Sequence, residues 1–343
     1  MTVRVGINGF GRIGRSFYRA ILAKGSGAGV ELVAVNDPFG DSETMAFLLK
    51  HDSVGGVLKN EVKVSDGGFS VDGNEVRKLE SKDPAEIPWG DHGVDVVIES
   101  TGIFTAREKA AGHLAGGAKR VIISAPSGDA DAMICMGVND QIFDPAQHTV
   151  ISNASCTTNC LAPMAKVLND RFGIEQGLIT TVHAYTSDQQ LQDMATVSRS
   201  GKPDLRRMRA AALSIIPSST GAARAIGTVL PELKGRLDGT SLRVPVPTGS
   251  ITDLVATLGQ ETTKEEVNAA FAEAAGAASY RGVLQYTEET LVSADIVGNP
   301  ASCIFSAPDT MVNGKFVKIL GWYDNEWGYS NRLVDLAAFI AAK

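Results

Sequence analysis

A cysteine at the start of a helix-like segment is the side chain in this 343-residue sequence best suited to covalent chemistry. Cys156 separates a strand-like run, residues 149–152, from a helix-like run, residues 157–172. The partial positive charge at a helix N-terminus and its unpaired N–H groups stabilise a thiolate. We therefore expect Cys156 to be a nucleophile with a thiol pKa below the ordinary value of about 8.5.

His183 is the candidate proton carrier for this thiol, because it closes a strand-like run and an imidazole titrates near neutrality. Cys160 follows Cys156 by one helical turn, and we expect it to point into the interior. Cys135 and Cys303 lie in apolar strand-like stretches and receive no chemical role. The remaining histidines are expected on the surface: His51, His92, His113 and His148.

A glycine pattern near the N-terminus indicates a dinucleotide site. Gly9, Gly11 and Gly14 form G-x-G-x-x-G directly after the first strand candidate and at the start of an apparent helix. In such a loop the first glycine allows a tight turn, the second admits a pyrophosphate and the third permits close packing of helix on strand. Asp37 ends the next strand, where its carboxylate can hold ribose hydroxyls and repel a 2′-phosphate. The pattern favours NAD over NADP.

The first half of the chain has the elements that this loop requires. Strand candidates at 3–7, 32–36, 94–99 and 120–124 alternate with helical patterns, which predicts an α/β, Rossmann-type parallel sheet with helices on both faces. Each strand ends near Gly, Asn, Asp or Ser, at the edge where such sheets bind ligands.

The second half of the chain has a different composition and pattern. Segments rich in Val, Thr and Pro at 177–183, 241–246 and 251–259 predict a mainly antiparallel sheet in an α+β domain. A final helix is expected over 331–342, with Ser330 as its N-cap. We therefore predict a dinucleotide-binding domain at 1–155, joined by a C-terminal helix at 326–343, and a catalytic domain at 156–325.

Composition excludes several other classes of protein. The net charge of −7 disfavours nucleic acid as a main partner, and no run of about 18 apolar residues is present to cross a membrane. None of the four cysteines has a C-x-x-C partner or a histidine at metal-ligand spacing, so no metal site is expected. We expect a soluble, cytoplasmic protein with free thiols.

Six blocks of sequence carry a resemblance to a known family. They are INGFGRIGR, SNASCTTNCLAP, TTVHAYTSDQ, SSTGAARA, LRVPVPTGSITDL and WYDNEWGYSNR. In this order, over nearly the whole chain, they resemble the phosphorylating glyceraldehyde-3-phosphate dehydrogenases. The resemblance implies a glycolytic, NAD-dependent enzyme that converts glyceraldehyde 3-phosphate and inorganic phosphate into 1,3-bisphosphoglycerate. It also implies a homotetramer.

The resemblance further implies roles for individual residues. Cys156 would form a hemithioacetal and then a thioester, while His183 would act as general base and, with the Cys156 N–H, stabilise the oxyanion. Thr186 and Arg243 would bind the substrate phosphate. The attacking phosphate would meet Ser155, Thr157, Thr220 and Gly221. Asn325 would fix the nicotinamide carboxamide, and the dinucleotide would be lined by Arg12, Ile13, Arg77 and Ser124.

One segment departs from the family pattern and keeps alternatives open. Residues 194–203 replace a shorter turn that borders the neighbouring subunit's dinucleotide site in family members. The elements DQQ and PDLRR are also similar to those of an erythrose-4-phosphate dehydrogenase, in which water resolves the thioester. A non-enzymatic binding protein that reuses the fold is the alternative from another class.

Overall fold

The computed structural model describes residues 2–197, 201 and 203–343. The chain forms two compact units. The first runs to Ser155 and includes Tyr329–Lys343, and the second is Cys156–Gly328. Each unit is built on its own sheet.

The first unit contains a nine-stranded sheet whose order is β10-β11-β9-β8-β1-β2-β7-β6-β5. Its strands, with the separate two-stranded pair β3 and β4, are β1 (Val3–Asn8), β2 (Val30–Asn36), β3 (His51–Asp52), β4 (Gly56–Val57), β5 (Val62–Ser65), β6 (Gly68–Val71), β7 (Asn74–Leu79), β8 (Val96–Glu99), β9 (Arg120–Ile123), β10 (Ala132–Met133) and β11 (Val150–Ser152). Its helices are α1 (Arg12–Lys24), α2 (Ser42–Lys50), α3 (Arg107–Ala110) and α4 (Gly112–Ala115). All pairs in the large sheet are parallel except β5 with β6 and β6 with β7.

The central strands of this sheet end level with one another. Asn8 of β1 pairs with Asn36 of β2 on one side and with Glu99 of β8 on the other, and Glu99 pairs with Ile123 of β9. The strands are buried along almost their whole length, as parallel strands between helices usually are. The loops that follow therefore start from one rigid edge.

The second unit contains a seven-stranded sheet of order β13-β14-β12-β15-β18-β17-β16. Its strands are β12 (Ile174–Ala184), β13 (Ile216–Ser219), β14 (Leu237–Val244), β15 (Ser250–Leu258), β16 (Leu284–Thr287), β17 (Cys303–Asn313) and β18 (Phe316–Tyr323). Its helices are α5 (Cys156–Phe172), α6 (Ala222–Val229), α7 (Lys264–Gly276) and α8 (Ser293–Ile296), and the chain ends with α9 (Trp327–Ala341). The sheet is mainly antiparallel, with parallel pairs at β12–β14 and β16–β17.

The last helix begins earlier than the apolar pattern at 331–342 predicts and close to the start at 326 that the predicted domain division gives it. It starts at Trp327, so Ser330 lies inside the helix rather than at its N-cap. The Asp324 carboxylate accepts the N–H groups of Glu326 and Trp327 at 3.0 and 2.9 Å, which satisfies the donors of the first turn. Within the described residues, no helix is both long and apolar enough to cross a membrane.

Candidate functional site

Cys156 is the first residue of α5 and is half-buried. The chain reaches it through Ala154, which adopts a left-handed conformation with φ of +55°. A non-glycine residue rarely takes this conformation, and it marks a constrained turn between β11 and the helix. The turn places the thiol at the N-terminus of α5, as the sequence predicts. Cys160, one turn further, is fully buried.

His183 lies at the end of β12 and is 4% exposed. Its Nε2 atom is 3.4 Å from the Sγ atom of Cys156, so the two predicted chemical groups do meet. The edge of the imidazole also faces the ring of Tyr323, with 5.9 Å between the ring centroids. The Tyr323 hydroxyl bonds the hydroxyls of Thr157 and Thr181 at 2.9 and 2.7 Å. These hydrogen bonds hold Tyr323 in place beside His183.

The charges around this pair do not favour an ion pair. Burial raises the pKa of the Cys156 thiol, and the positive charge of Arg243 with hydrogen bonds from Thr157 offsets part of that rise. Burial and the Arg243 charge lower the pKa of His183 to about 3. The expected lowering of the thiol pKa is therefore wrong in its net direction, because enclosure outweighs the helix terminus. At neutral pH both partners are uncharged.

Arg243 joins this pair to a possible anion site. It pairs with His183 across β14 and β12, and its Nη1 atom lies 2.7 Å from His183 Nδ1 and 3.5 Å from Thr186 Oγ1. Thr186 in turn donates to Asp188, which also pairs with Arg207. The two residues predicted to bind one phosphate, Thr186 and Arg243, are thus brought together.

Arg207 is a residue that sequence reasoning left unassigned. It is half-buried, and burial followed by the Arg243 charge lowers its pKa, while the Arg207 charge adds a smaller lowering of the His183 pKa. The guanidinium groups of Arg207 and Arg243 therefore lie close enough for the charge of one to affect the pKa of the other. The basic run at 206–209 was the available signal, but its spacing does not say which arginine faces inward.

The residues predicted for the second phosphate lie on two helix starts. Ser155 directly precedes α5, and the Thr157 hydroxyl is buried against Tyr323. Gly221 is the N-cap residue of α6, and Thr220 accepts the N–H of Ala222 at 3.2 Å. A Cβ at Gly221 would meet nothing within 4 Å. Both helix starts direct N–H groups outward, which suits an anion.

In the first unit, the glycine loop has the shape that a dinucleotide requires. Gly9 has a φ of +90°, and a Cβ there would lie 2.8 Å from the Thr101 nitrogen. A Cβ at Gly14 would lie 2.4 Å from the carbonyl oxygen of Gly9, whereas one at Gly11 would meet nothing within 4 Å. Gly11 is also the N-cap residue of α1. The structure therefore leaves space and N–H groups where a pyrophosphate would approach.

Asp37 stands beside this loop. One of its carboxylate oxygens accepts the N–H of Phe10 and the other accepts the N–H of Phe39, both at 2.9 Å. Ser124 follows β9 at the same edge and donates its N–H to the Glu99 carbonyl at 2.9 Å. These residues fit an NAD molecule held along the carboxyl edge of the sheet.

The other residues predicted to line the dinucleotide lie in different parts of the first unit. Arg12 and Ile13 begin α1, and Arg12 pairs with Asp52 at 3.1 Å. The Arg77 guanidinium donates to the Asp66 carbonyl at 2.9 Å. Arg77 also lines a surface pocket of about 630 Å³ that includes Arg4, Glu31, Glu75 and His92.

Asn325 belongs to the second unit and is buried. Its Oδ1 atom accepts the hydroxyls of Ser250 and Thr248 at 2.8 and 3.3 Å. The Ser250 oxygen also accepts the N–H of Ala184, the neighbour of His183. The amide of Asn325 is therefore oriented at the start of β15, the strand that pairs with β12, which carries the histidine.

One further sequence expectation is contradicted by the structure. His113 is fully buried, so its expected place on the surface is wrong. Of the unusual segment 194–203, residues 198–200 and 202 lie outside the described residues. Among the described residues no cluster of His, Cys, Asp and Glu could hold a metal ion.

Comparison with known proteins gives a consistent result. Residues 3–107 match the model for the glyceraldehyde 3-phosphate dehydrogenase NAD binding domain, and residues 155–325 match that for the C-terminal domain. A glyceraldehyde-3-phosphate dehydrogenase of Streptomyces coelicolor is 60% identical over 99% of both chains. One from Mycolicibacterium smegmatis is 56% identical over 99% of both chains, and glyceraldehyde-3-phosphate dehydrogenase 1 of Bacillus subtilis is 56% identical over 100% of this chain and 99% of its own.

Proposed function

Because the chain belongs to the glyceraldehyde-3-phosphate dehydrogenase family, we propose that it oxidises glyceraldehyde 3-phosphate with NAD and keeps the released energy in an acyl phosphate. The observation that carries this proposal is the contact between Cys156 and His183 beside the Arg243 guanidinium. A thiol, a base and a cation at one point suit covalent attack on the aldehyde of a phosphorylated sugar. Bound NAD supplies the acceptor for the hydride.

The chemistry follows from the residues in turn. The Cys156 sulfur adds to the aldehyde carbon, and the oxygen gains the thiol proton to give a hemithioacetal. His183 is neutral and can therefore take the hydroxyl proton as hydride leaves the same carbon, which gives a thioester. An oxygen of inorganic phosphate then attacks the thioester, the carbon–sulfur bond breaks, and the departing sulfur takes the proton held by His183, which restores the thiol and the neutral imidazole; the phosphate loses its own proton to solvent.

We assign the binding roles as follows. Thr186 and Arg243 hold the substrate phosphate, and the attacking phosphate meets Ser155, Thr157, Thr220 and Gly221. NAD lies on the unit with the glycine loop and Asp37, while Asn325 orients its carboxamide. This assignment makes 1–155 with 326–343 the NAD-binding domain and 156–325 the catalytic domain.

We further infer a homotetramer in the cytoplasm. Leu178, Leu191 and Leu213 are exposed by 66, 85 and 85%, and such apolar side chains suit burial between subunits. The cysteines Cys135, Cys156, Cys160 and Cys303 are free thiols, which suits a reducing compartment.

NADH formation followed by absorbance tests the proposed function. We expect rapid reduction of NAD with glyceraldehyde 3-phosphate only when inorganic phosphate is present. Erythrose 4-phosphate as the better substrate, with no need for phosphate, would establish the alternative dehydrogenase, which the names of the similar proteins do not favour. No NADH with either sugar would indicate a binding protein that reuses the fold.

A further inference from the structure

A buried carboxylate lies directly beneath the glycine loop in the first unit. Glu99 is 2% exposed and ends β8, next to β1. Its Oε2 atom accepts the Asn8 amide at 2.6 Å and contacts His113 Nε2 at 3.0 Å. Its Oε1 atom accepts both the N–H, at 2.8 Å, and the hydroxyl of Thr101. Four donors therefore surround this carboxylate, which is the condition for keeping it buried.

The tautomer of His113 follows from its contact with Trp89. The indole nitrogen of Trp89 lies 3.1 Å from His113 Nδ1 and can only donate a hydrogen bond. Nδ1 is therefore the acceptor, and the proton resides on Nε2, where it points at Glu99. Trp89 thus orients the ring so that Nε2 donates to the carboxylate.

Asn8 carries this network across the sheet edge. Its Oδ1 atom accepts the Asn36 amide at 2.8 Å, and the Asn36 amide also donates to the Ser81 carbonyl. Asn36 directly precedes Asp37, and its carbonyl accepts the Gly9 N–H at 2.8 Å. The network therefore connects the ends of β1, β2 and β8.

Thr101 connects this hydrogen-bond network to the glycine loop. It packs so closely on Gly9 that any Cβ there would collide with it. Its neighbour Ser100 donates its hydroxyl to the Gly9 carbonyl at 2.7 Å and its N–H to the Asn8 carbonyl at 2.8 Å. A shift of Thr101 would therefore move the turn at Gly9 and the N–H groups that follow it.

We propose that Glu99 and His113 are positioning residues for NAD, which set the shape of the Gly9–Gly11 turn through Thr101 and Asn8. The proposal rests on the proposed function, since it concerns the coenzyme of that reaction. The pair belongs to the first unit, whereas the thiol and the substrate-phosphate residues belong to the second. Its loss should weaken coenzyme binding and leave the chemical step almost unchanged.

The test measures equilibrium binding by calorimetry on the full-length protein. In Glu99→Gln an amide N–H₂ replaces one accepting oxygen and faces a donor, so we expect the NAD dissociation constant to rise about tenfold or more. ADP-ribose, which retains the pyrophosphate, should weaken as much as NAD, and adenosine should change little. The kcat at saturating NAD should stay within about twofold of the parent value.

A second variant and a matched control separate positioning from general destabilisation. His113→Gln keeps one donor for Glu99 and should give a smaller rise in the same constants, which covers the case in which Glu99→Gln does not fold. Asp131→Asn removes another carboxylate of the same unit, one that accepts the N–H groups of Thr149 and Val150. It should lower Tm with no effect on NAD binding.

Each outcome decides one question. An NAD dissociation constant that stays at the parent value in both network variants would overturn the proposal, as would an equal rise in Asp131→Asn. A parent protein that fails to bind NAD would instead contradict the proposed function.

Discussion

The Nδ1 atom of His183 lies between two groups that make opposite demands on it. The Ala184 carbonyl, at 2.7 Å, can only accept a hydrogen bond, whereas the Arg243 guanidinium, also at 2.7 Å, can only donate one. With Arg243 as the partner, the Nε2 proton faces Cys156; with Ala184 as the partner, Nε2 is free to accept a proton. A phosphate dianion on Arg243 would draw it away from Nδ1 and offset its charge. Substrate binding and the basicity of His183 are therefore coupled.

The pH dependence of Cys156 alkylation tests the charges at this site. Because burial raises the thiol pKa, we expect the iodoacetamide rate to increase with pH through a midpoint above about 8.5. The Arg243 charge favours the thiolate, so Arg243→Gln should move that midpoint to still higher pH. Arg171→Gln, which alters an exposed arginine, is the control. Label mainly on Cys135, Cys160 or Cys303, or a midpoint that falls in Arg243→Gln, would contradict this account.

Coenzyme choice is predicted to depend on Asp37. A 2′-phosphate would meet its carboxylate, so the parent should prefer NAD strongly over NADP. Asp37→Asn keeps one acceptor for the N–H groups of Phe10 and Phe39 and removes the charge. It should relax the preference with modest loss of NAD affinity, whereas Asp37→Gly should lose both. Steady-state kcat/KM with each coenzyme measures this. Equal use of NAD and NADP by the parent would show that Asp37 does not exclude the phosphate.

At the scale of elements, two glycines of the loop between β1 and α1 are expected to serve different purposes: Gly11 leaves room for NAD, and Gly14 allows the loop to fold. Gly11→Ala adds a Cβ where the protein has no neighbour within 4 Å, so Tm should be unchanged, but the methyl group would stand where the pyrophosphate approaches. Gly14→Ala would place its Cβ 2.4 Å from the Gly9 carbonyl oxygen and should lower Tm. Thermal unfolding and NAD titration of both variants measure the difference. Unchanged NAD affinity in Gly11→Ala would show that NAD does not bind against this loop.

The elements that sequence reasoning located are those with a strong local pattern. The apolar run of β1 and the helix after Cys156 were each found to within a residue or so at their ends. The hairpin strands β5, β6 and β7 are absent from the predicted elements: β5 and β6 have only four residues each, and β5 and β7 are partly exposed. The start of α9 was misplaced because its cap, Asp324, lies before the apolar pattern begins.

The same limit applies to the site. The types and surroundings of Cys156 and His183 were enough to pair them, although they are far apart in the chain. The role of Arg77 at the dinucleotide comes from the resemblance and stays a prediction; its guanidinium bonds the turn after β5. His113 was judged by its polar neighbours in sequence, whereas its partners Trp89 and Glu99 come from other elements. Contacts of this kind have no local signature.

At the scale of the whole molecule, His183 should make stability depend on pH. Its folded pKa of about 3 is below the unfolded value of about 6.5, so between these values the unfolded chain binds more protons. Stability should therefore fall as pH falls through this window, by up to about 1.4 kcal/mol per pH unit. His183→Gln should remove this slope. Urea unfolding between pH 6.5 and 4.5 compares the two proteins, and a constant difference between them would contradict the low pKa.

The segment from Tyr185 to Arg209 is predicted to link assembly to coenzyme binding. Within its described part, ion pairs join Arg209 to Asp193 at 2.7 Å and Arg207 to Asp188. It also exposes Leu191, Met194 and Val197 by 85, 62 and 65%. We expect a neighbouring subunit of the proposed tetramer to cover these side chains, and the family resemblance implies that the segment lies beside that subunit's coenzyme.

Dilution should therefore dissociate the proposed tetramer and weaken NAD binding together, and NAD should favour assembly, because linkage between two equilibria is reciprocal. Ultracentrifugation across a dilution series, with and without NAD, measures both. Leu191→Ser should shift dissociation to higher protein concentration, since it removes apolar area that assembly would bury. Phe316→Ser, which alters an exposed aromatic side chain elsewhere, is the matched control. A fully active monomer, or assembly that ignores NAD while NAD still binds tightly, would show that this segment acts within its own subunit.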